Sequence, residues 1–350
     1  MHRYYNALNN IHLADYRVLK KLKEKFGSWE RAFKNDPKAS SLDIETSFLE
    51  LTKNNIKIIL KEDKEYPPLL KESSSAPHAL YVKGVNPDIY GLGTIAIVGT
   101  RKSTKFGEDV ARNWAEDFAR KGLVVVSGLA LGIDAAAHSG ACRALGKTIA
   151  VLGCGLKSIY PAENENLAKK IIELGGSIIS EYPFSFPSLP KNFIERNRIV
   201  AALSLGTLVI EAPEKSGALI TASMALDENR EVMVIPGAIG HINFVGSNKL
   251  IQAGARLVSS SGEVLETLGL KIELSGDKKS LETIRASVGV DNIDHLKIIE
   301  VLQKAGKPLI IDEIIELTNI DSKNTSAILT ILLLRDIIIE EKGKYEIRYS

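Results

Sequence analysis

Short apolar segments alternate with longer amphipathic ones along the middle of the chain. The apolar segments between residues 94 and 258 have the length of strands: TIAIVGT, LVVVSG, TIAVLG, GSIISE, TLVIEA, EVMVIPG and ARLVS. Helix-length segments separate them. Nearly continuous apolar strands that alternate with helices are typical of a parallel sheet covered on both faces. The pattern predicts an α/β core, a Rossmann-like doubly wound parallel sheet over residues 93–270, in which ligands bind beyond the carboxyl ends of the strands.

The segments before this core have other patterns. Residues 1–62 carry apolar side chains at helical intervals, in DYRVLKKLKEKFGSWERAF and again in TSFLELTKNNIKIILK. They predict a helical module of the SAM-like or helix-hairpin-helix kind, whose role in packing or in DNA binding stays open. Residues 63–92 contain several prolines and serines and are predicted to form an extended connector that ends in a short strand at residues 80–83.

The segments after the core are a polar stretch and a small domain. Residues 271–292 lack a period and predict a linker. Residues 293–350 read as three helices followed by a hairpin, a pattern that resembles a winged helix. The third helix carries Lys323 and Arg335 against Asp321 and Asp336. It is therefore less basic than a helix that reads DNA, so DNA contact and protein docking both stay open.

Composition narrows the choice of function. With 45% hydrophobic and 25% charged residues and a net charge of +2, the chain is typical of a globular protein. Its apolar runs are too short to cross a bilayer, its N-terminus lacks the apolar core of a signal peptide, and it has only two cysteines. We expect a cytoplasmic protein without a membrane partner. The sequence has no HExxH motif, no Cys/His ligand cluster and no Gly-Lys-Ser/Thr, so no metal or cofactor is expected.

Small, hydroxyl and basic residues follow the predicted strands. Glycines let backbone N–H groups approach a ligand, and helix N-termini favour an anion. Arg101 is a long cation directly after a buried strand, where it needs an anion or a carboxylate such as Glu211 or Asp134. The sequence therefore predicts an anion site at the strand ends, formed by Gly99, Thr100, Arg101, Lys102, Ser127, Gly128, Ser216 and Gly217.

The segment PKNFIERNRIVAALS predicts a helix that adds basic groups to this site. Lys191 and Arg198 are two turns apart and share a face of an ideal helix, whereas Arg196 points away from it. Phe193 offers a stacking surface for a base, with core packing as the alternative. Asn197 completes the candidate contacts on this helix.

A second group of residues is predicted to support the site. Asp134 and His138 lie one turn apart and are predicted to be a helix N-cap and a hydrogen-bonded histidine that together fix the loop of residues 127–134. Arg196 and Glu211 are also assigned structural roles, with Glu211 as the expected partner of Arg101.

Four motifs occur in order on this scaffold: GTRKST, SGLALGIDAAAH, FIERNRI and APEKSGALITA. Together they resemble the DNA processing protein A family (DprA, also called Smf) over essentially the whole chain. The resemblance implies a non-enzymatic homodimer that binds single-stranded DNA, protects incoming DNA and helps to load RecA in natural transformation. It also implies that Arg101, the loop at Ser127 and Gly128, Lys191 and Arg198 contact phosphates.

Two other classes of function stay open. The core is also similar to nucleotide phosphoribohydrolases of the lysine-decarboxylase-like group, but the corresponding loop reads Pro-Glu-Lys-Ser-Gly at residues 213–217, without the paired glycines of those enzymes. A nucleotide-sensing regulator that reads duplex DNA through its winged helix is the third class.

Overall fold

The structure is a computed structural model of the chain. It describes residues 1–39, 43–86, 93–270, 293–305, 308–334, 338–341 and 343–347. The chain divides into two compact units, residues 1–271 and 272–350. The predicted linker, residues 271–292, lies outside the described residues. None of the described helices is long and apolar enough to span a membrane.

One sheet of nine strands forms the centre of the larger unit. The strands are β1 (Ile56–Leu60), β2 (Ala79–Gly84), β3 (Thr94–Val98), β4 (Val124–Ser127), β5 (Thr148–Leu152), β6 (Ser177–Ser180), β7 (Gly206–Val209), β8 (Glu231–Val234) and β9 (Arg256–Leu257). Their order is β1-β2-β6-β5-β4-β3-β7-β8-β9. Neighbours from β6 across to β9 are parallel, whereas β2 is antiparallel to both β1 and β6. The prediction of a mostly parallel α/β core is confirmed.

Helices precede, connect and follow these strands. They are α1 (His2–Ile11), α2 (Tyr16–Phe26), α3 (Trp29–Lys34), α4 (Ile44–Lys53), α5 (Pro68–Glu72), α6 (Lys105–Arg120), α7 (Ile133–Arg143), α8 (Glu165–Glu173), α9 (Pro190–Ala202), α10 (Gly217–Asp227), α11 (Val245–Gln252) and α12 (Ser261–Thr267). Successive residues of one strand enter different cores: Val151 packs in the cluster that contains Val200 of α9, and Leu152 in the one that contains Ala168 of α8. Both faces of the sheet are thus covered, which explains the continuous apolar strands.

The strand order reverses beside β3. The chain runs from β3 through β4 and β5 to β6 in one direction, and then returns to place β7 on the other side of β3. Connections that leave β3 and β7 therefore diverge, and they open a crevice at the carboxyl ends of these two strands. Such a switch point is where doubly wound sheets bind their ligands.

The segment before residue 62 differs from its prediction. Helix α4 ends at Lys53, Asn55 has a left-handed φ of 55°, and the residues predicted to continue the helix form β1 instead. Asparagine tolerates this conformation at a helix end, and a run of isoleucines favours a strand. Residues 1–62 therefore contribute a strand to the central sheet and belong to the same compact unit as the core.

The predicted connector is also more structured than its composition indicates. It contains the short helix α5, and its closing strand, predicted at residues 80–83, is β2 at Ala79–Gly84. Tyr66 is buried, and its hydroxyl donates to the carbonyl of Pro77 at 2.8 Å. Tyr66 packs in the same apolar cluster as Val200 of α9, so the connector lies against the core.

The smaller unit contains α13 (Ile293–Ala305), β10 (Leu309–Ile310), α14 (Ile311–Thr318), α15 (Ser322–Leu334), β11 (Ile338–Glu341) and β12 (Lys344–Ile347). Its strands pair in the order β10-β12-β11, and its apolar core includes Ile298, Ile314 and Leu329. The elements agree with three helices and a hairpin, and the winged-helix assignment stays a prediction. Arg335 and Asp336 lie outside the described residues.

Candidate functional site

A groove lies at the switch point, between the loops that follow β3, β4 and β7 and one face of α9. We call it the switch-point groove. Asp134 and Arg196, predicted as supporting residues, contribute to its wall. Most of the predicted ligand contacts also line it: Gly99, Thr100, Arg101, Gly128, Phe193, Asn197, Ser216 and Gly217. Residues that are far apart in the sequence are thus brought to one edge of the sheet.

Two predicted contacts from the loops do not line the groove. Ser127 is fully buried, and its hydroxyl donates to the carbonyl of Ile97 at 2.6 Å, so its side chain links two strands. Lys102 is exposed, and its carbonyl accepts a hydrogen bond from Nδ2 of Asn243 at 2.9 Å. Lys102 therefore lies where the loop after β3 meets the loop after β8.

The face of α9 that lines the groove is not the predicted one. It is formed by Phe193, Ile194, Arg196, Asn197 and Val200. Positions 193, 196, 197 and 200 are spaced i, i+3, i+4 and i+7, which is one stripe of a helix. Lys191 and Arg198 lie outside that stripe, so the prediction that Arg196 points away and that Lys191 and Arg198 share the groove is wrong.

Arg198 points instead towards the strand end of β6. Its Nη2 forms a short ion pair with Oε2 of Glu181, and both side chains are largely buried, with exposures of 18% and 11%. Burial raises the pKa of Glu181, and the guanidinium of Arg198 opposes this rise. The positive charge of Arg198 thus compensates the negative charge of the buried Glu181 carboxylate.

Replacing Arg198 by alanine is expected to lower the free energy of unfolding by about 1–2 kcal/mol and to leave unchanged the affinity for the single-stranded DNA that the sequence analysis expects as ligand. The cost arises because Glu181 loses its partner while it stays buried, although the carboxylate can take up a proton. Urea titrations beside binding curves measure both effects. Loss of affinity without loss of stability would return Arg198 to the ligand contacts.

Arg101 and two aromatic rings form a layer at the mouth of the groove. Cζ of Arg101 lies 5.4 Å from the ring centroid of Phe193, and this ring lies 5.1 Å from that of Tyr160. Tyr160 is 43% exposed. The sequence analysis did not predict Tyr160, although an aromatic residue in the loop after a predicted strand indicates a possible stacking surface. The layer offers a cation and π-faces to the same ligand.

Arg196 lies beneath this layer and is almost entirely buried. Its Nη1 donates to the carbonyl of Gly128 at 2.7 Å and, in a shorter bond, to the carbonyl of Val151. Burial lowers the pKa of Arg196 to about 10, so the side chain stays charged at neutral pH. A Cβ on residue 128 would overlap the guanidinium, which explains the glycine there. Arg196 therefore joins the strand ends of β4 and β5.

Asp134 fixes the loop after β4, as predicted. Its Oδ2 accepts hydrogen bonds from the backbone N–H groups of Gly128 at 3.1 Å and Ala130 at 3.4 Å. Gly132, rather than Asp134, is the N-cap of α7. His138 is hydrogen-bonded, as predicted: its Nδ1 pairs with Oγ1 of Thr148 in β5 at 2.7 Å. Burial lowers its pKa to about 3, and a backbone hydrogen bond with Ser127 opposes this fall. His138 is thus a neutral core residue.

Glu211 is not the partner of Arg101. Its carboxylate is completely buried and accepts hydrogen bonds from the backbone N–H of Thr104 at 3.0 Å, from the Thr104 hydroxyl and from Nδ2 of Asn243 at 2.8 Å. These bonds join the loops after β3, β7 and β8. No ion pair of Arg101 occurs within the described part of the chain, so its charge is available to a ligand.

Metal chemistry has no support in this site. Within the ranges that the structure describes, no group of His, Cys, Asp and Glu side chains is arranged to hold a metal ion. The groove instead offers guanidinium groups, aromatic faces, backbone N–H groups and the start of α10, where the Ser216 hydroxyl caps the helix by accepting from the N–H of Ala218. This set of groups suits an anion with planar rings.

The chain is similar to several known proteins. A family model described as DNA recombination-mediator protein A matches residues 57–269. The chain is 41% identical over 227 residues to Protein Smf of Escherichia coli strain K12, covering 64% of this chain and 60% of that protein. It is 40% identical over 205 residues to DNA processing protein DprA of Bacillus subtilis strain 168, covering 59% of this chain and 69% of that protein. The chain thus spans about 60% of the length of the Escherichia coli relative.

Two solved structures have folds similar to that of this chain. The X-ray structure of DNA processing protein A from Streptococcus pneumoniae has a TM-score of 0.64 and 33% identity, and the match covers 76% of this chain and 98% of that one. A structure of DNA processing protein A from Helicobacter pylori, which concerns its single-stranded DNA binding mode, has a TM-score of 0.55 and 30% identity. That match covers 61% of this chain and 95% of the other.

Proposed function

Since the chain belongs to the DNA recombination-mediator protein A family, we propose that it binds single-stranded DNA in the switch-point groove and acts in DNA processing. The observation that carries this proposal is Arg101, an exposed cation that stacks on Phe193 at the mouth of the groove. Glu211 and Asp134, the carboxylates predicted as its partners, are engaged by other groups. A phosphate is the partner that this cation lacks.

The layer of rings favours a single strand over a duplex. Stacking on Phe193 or Tyr160 needs a base whose face is free, and the bases of a duplex stack on each other. Such stacking tolerates every base, since each has a π-face, so we expect little dependence on sequence. The phosphates between the bases then meet Arg101 and the backbone N–H groups at the start of α10.

The state of the carboxylates supports binding rather than catalysis. Hydrolysis of a glycosidic bond needs a positioned acid or base that is free to exchange a proton with the substrate. Glu211 accepts three hydrogen bonds and has no exposed surface, and Asp134 holds the loop after β4. We therefore propose no enzymatic activity, and the phosphoribohydrolase alternative is not favoured.

The remaining roles follow from the family and belong to the same proposal. A homodimer would place two grooves on one strand, which raises the effective affinity for longer DNA. The bound protein would protect the incoming strand during natural transformation. RecA would then be loaded on the strand that the grooves hold. The Helicobacter pylori relative with its single-stranded DNA binding mode supports the choice of ligand.

Affinity for an oligothymidylate is expected to exceed affinity for a duplex of equal length, and to fall as salt is added. If roughly three to five phosphates are neutralised, the logarithm of the binding constant should fall with a log–log slope of magnitude about 2–4. Fluorescence anisotropy with labelled oligonucleotides across a salt series measures this. Tighter binding of the duplex, or an affinity that does not change with the salt concentration, would contradict the proposal.

A further inference from the structure

The structure has a second concave surface at the carboxyl edge of the sheet, one loop away from the switch-point groove. It lies between the start of α6 and the loop after β8 and is lined by Thr104, Phe106, Pro236, Gly237, Ala238, His241 and Phe244. We call it the β8 slot. Sequence analysis singled out none of its aromatic residues, and the proposed function does not use them.

Aromatic rings form the walls and the floor of the β8 slot. Phe106 is 56% exposed, and its ring centroid lies 6.4 Å from that of Phe244 on the floor. His241 is also exposed, and its ring meets that of Phe244 edge to face at a centroid distance of 5.5 Å. The exposed rings of Phe106 and His241 both contact the buried ring of Phe244. A planar ligand could therefore stack on either exposed ring and rest on Phe244.

The β8 slot is rigidly attached to the switch-point groove. Asn243, between His241 and Phe244, donates through Nδ2 to the carbonyl of Lys102 and to the buried carboxylate of Glu211. The same carboxylate accepts from Thr104 at the start of α6. The loop after β3 therefore has Arg101 in the groove at one end and Thr104 in the slot at the other, and its conformation is fixed between them.

The distance between the two sites suits one DNA strand. Arg101 and Thr104 are three residues apart, which limits their separation to about 10 Å. Because one strand of duplex DNA advances about 3.4 Å along the helix axis per phosphate, and an extended strand advances farther, a few nucleotides cover this distance. Lys102 is exposed between the two sites and is available to a phosphate on that path.

We propose that the β8 slot binds a base of the same single strand that occupies the switch-point groove, with Phe106 and His241 as the stacking surfaces. This inference rests on the proposed function and extends the path of the strand across Lys102. A second copy of the chain is the alternative occupant of this apolar surface, and measuring self-association beside DNA affinity separates the two.

The test compares binding of oligothymidylates that lengthen one nucleotide at a time. The parent should gain affinity at the length that first reaches the slot, and Phe106→Ala should lose that gain, roughly fivefold or more. The shortest oligonucleotides should bind both proteins equally. Phe106→Tyr should retain the gain and Phe106→Leu should lose it, because leucine keeps apolar surface but lacks a π-face.

The control is Leu145→Ala, which removes an exposed apolar side chain that precedes β5 and so lies at the opposite edge of the sheet. Its length profile should match that of the parent. If the length profile of Phe106→Ala also matches that of the parent, the slot does not bind a base. If Phe106→Ala and Ile239→Ser in addition abolish self-association, the slot is a contact between two copies of the chain. A parent that binds no single-stranded DNA at any length would instead contradict the proposed function.

Discussion

Replacing Arg196 by alanine is expected to lower the free energy of unfolding of the larger unit by about 2–5 kcal/mol, since each buried carbonyl left without a donor costs about 1–3 kcal/mol. The substitution leaves the carbonyls of Gly128 and Val151 without their donor inside the protein. It also removes the positive charge that opposes the rise in the pKa of buried Asp134. Urea unfolding followed by tryptophan fluorescence measures the loss, because both tryptophans, at positions 29 and 114, belong to this unit.

Two further variants make this result specific. Arg143 is an exposed arginine at the end of α7, and Arg143→Ala should change the free energy of unfolding by no more than about 0.5 kcal/mol. Arg196→Lys keeps a charge but lacks the planar fork, so its loss should be intermediate. A loss below about 1 kcal/mol for Arg196→Ala would show that the loops after β4 and β5 hold their shape without it.

The second large effect is on binding. Arg101→Ala should weaken affinity for single-stranded DNA about tenfold to hundredfold, because it removes a charge-assisted contact to phosphate and the cation of the aromatic layer. Arg101 is exposed and makes no described ion pair, so the free energy of unfolding should hardly change. Anisotropy titrations with a labelled oligothymidylate, beside urea unfolding, separate the two quantities.

Arg143→Ala serves again as the matched control, since it removes the same charge from the end of α7, next to the opposite edge of the sheet. It should retain the affinity of the parent. An equal loss in both variants would mean that binding follows the total charge of the protein and not the switch-point groove. Arg101→Lys should recover part of the affinity, because a point charge still attracts a phosphate.

The sheet and the position of the groove could be predicted from the sequence, because both depend on local patterns. Parallel strands buried on both faces must be apolar throughout, and their carboxyl ends must meet at one edge. Arg101, Gly128 and Ser216 follow directly from this reasoning. The strand β1 was not predicted because its isoleucines continue the helical spacing of the apolar residues in α4. The two asparagines between α4 and β1 allow the helix to end there.

The contacts within the groove could not be predicted in the same way. Arg196 and Arg198 have equal charge and lie on one helix, and only the packing of α9 decides which of them enters the core near Asp134. The stripe from Phe193 through Arg196 to Val200 is present in the sequence, but the paired charges of Lys191 and Arg198 favour the other face of the helix. Asn243 contacts Glu211 across 32 positions of sequence, a pairing that no local pattern encodes.

The antiparallel strand β1 has a practical consequence for dividing the protein. A fragment that starts at residue 63, where composition places the end of the first module, would lack β1 and leave the outer edge of β2 without its partner. An uncovered edge with apolar residues such as Leu80 and Val82 is a template for pairing between chains. Such a fragment is expected to aggregate, and its loss of DNA binding would then say nothing about whether the first helices touch DNA.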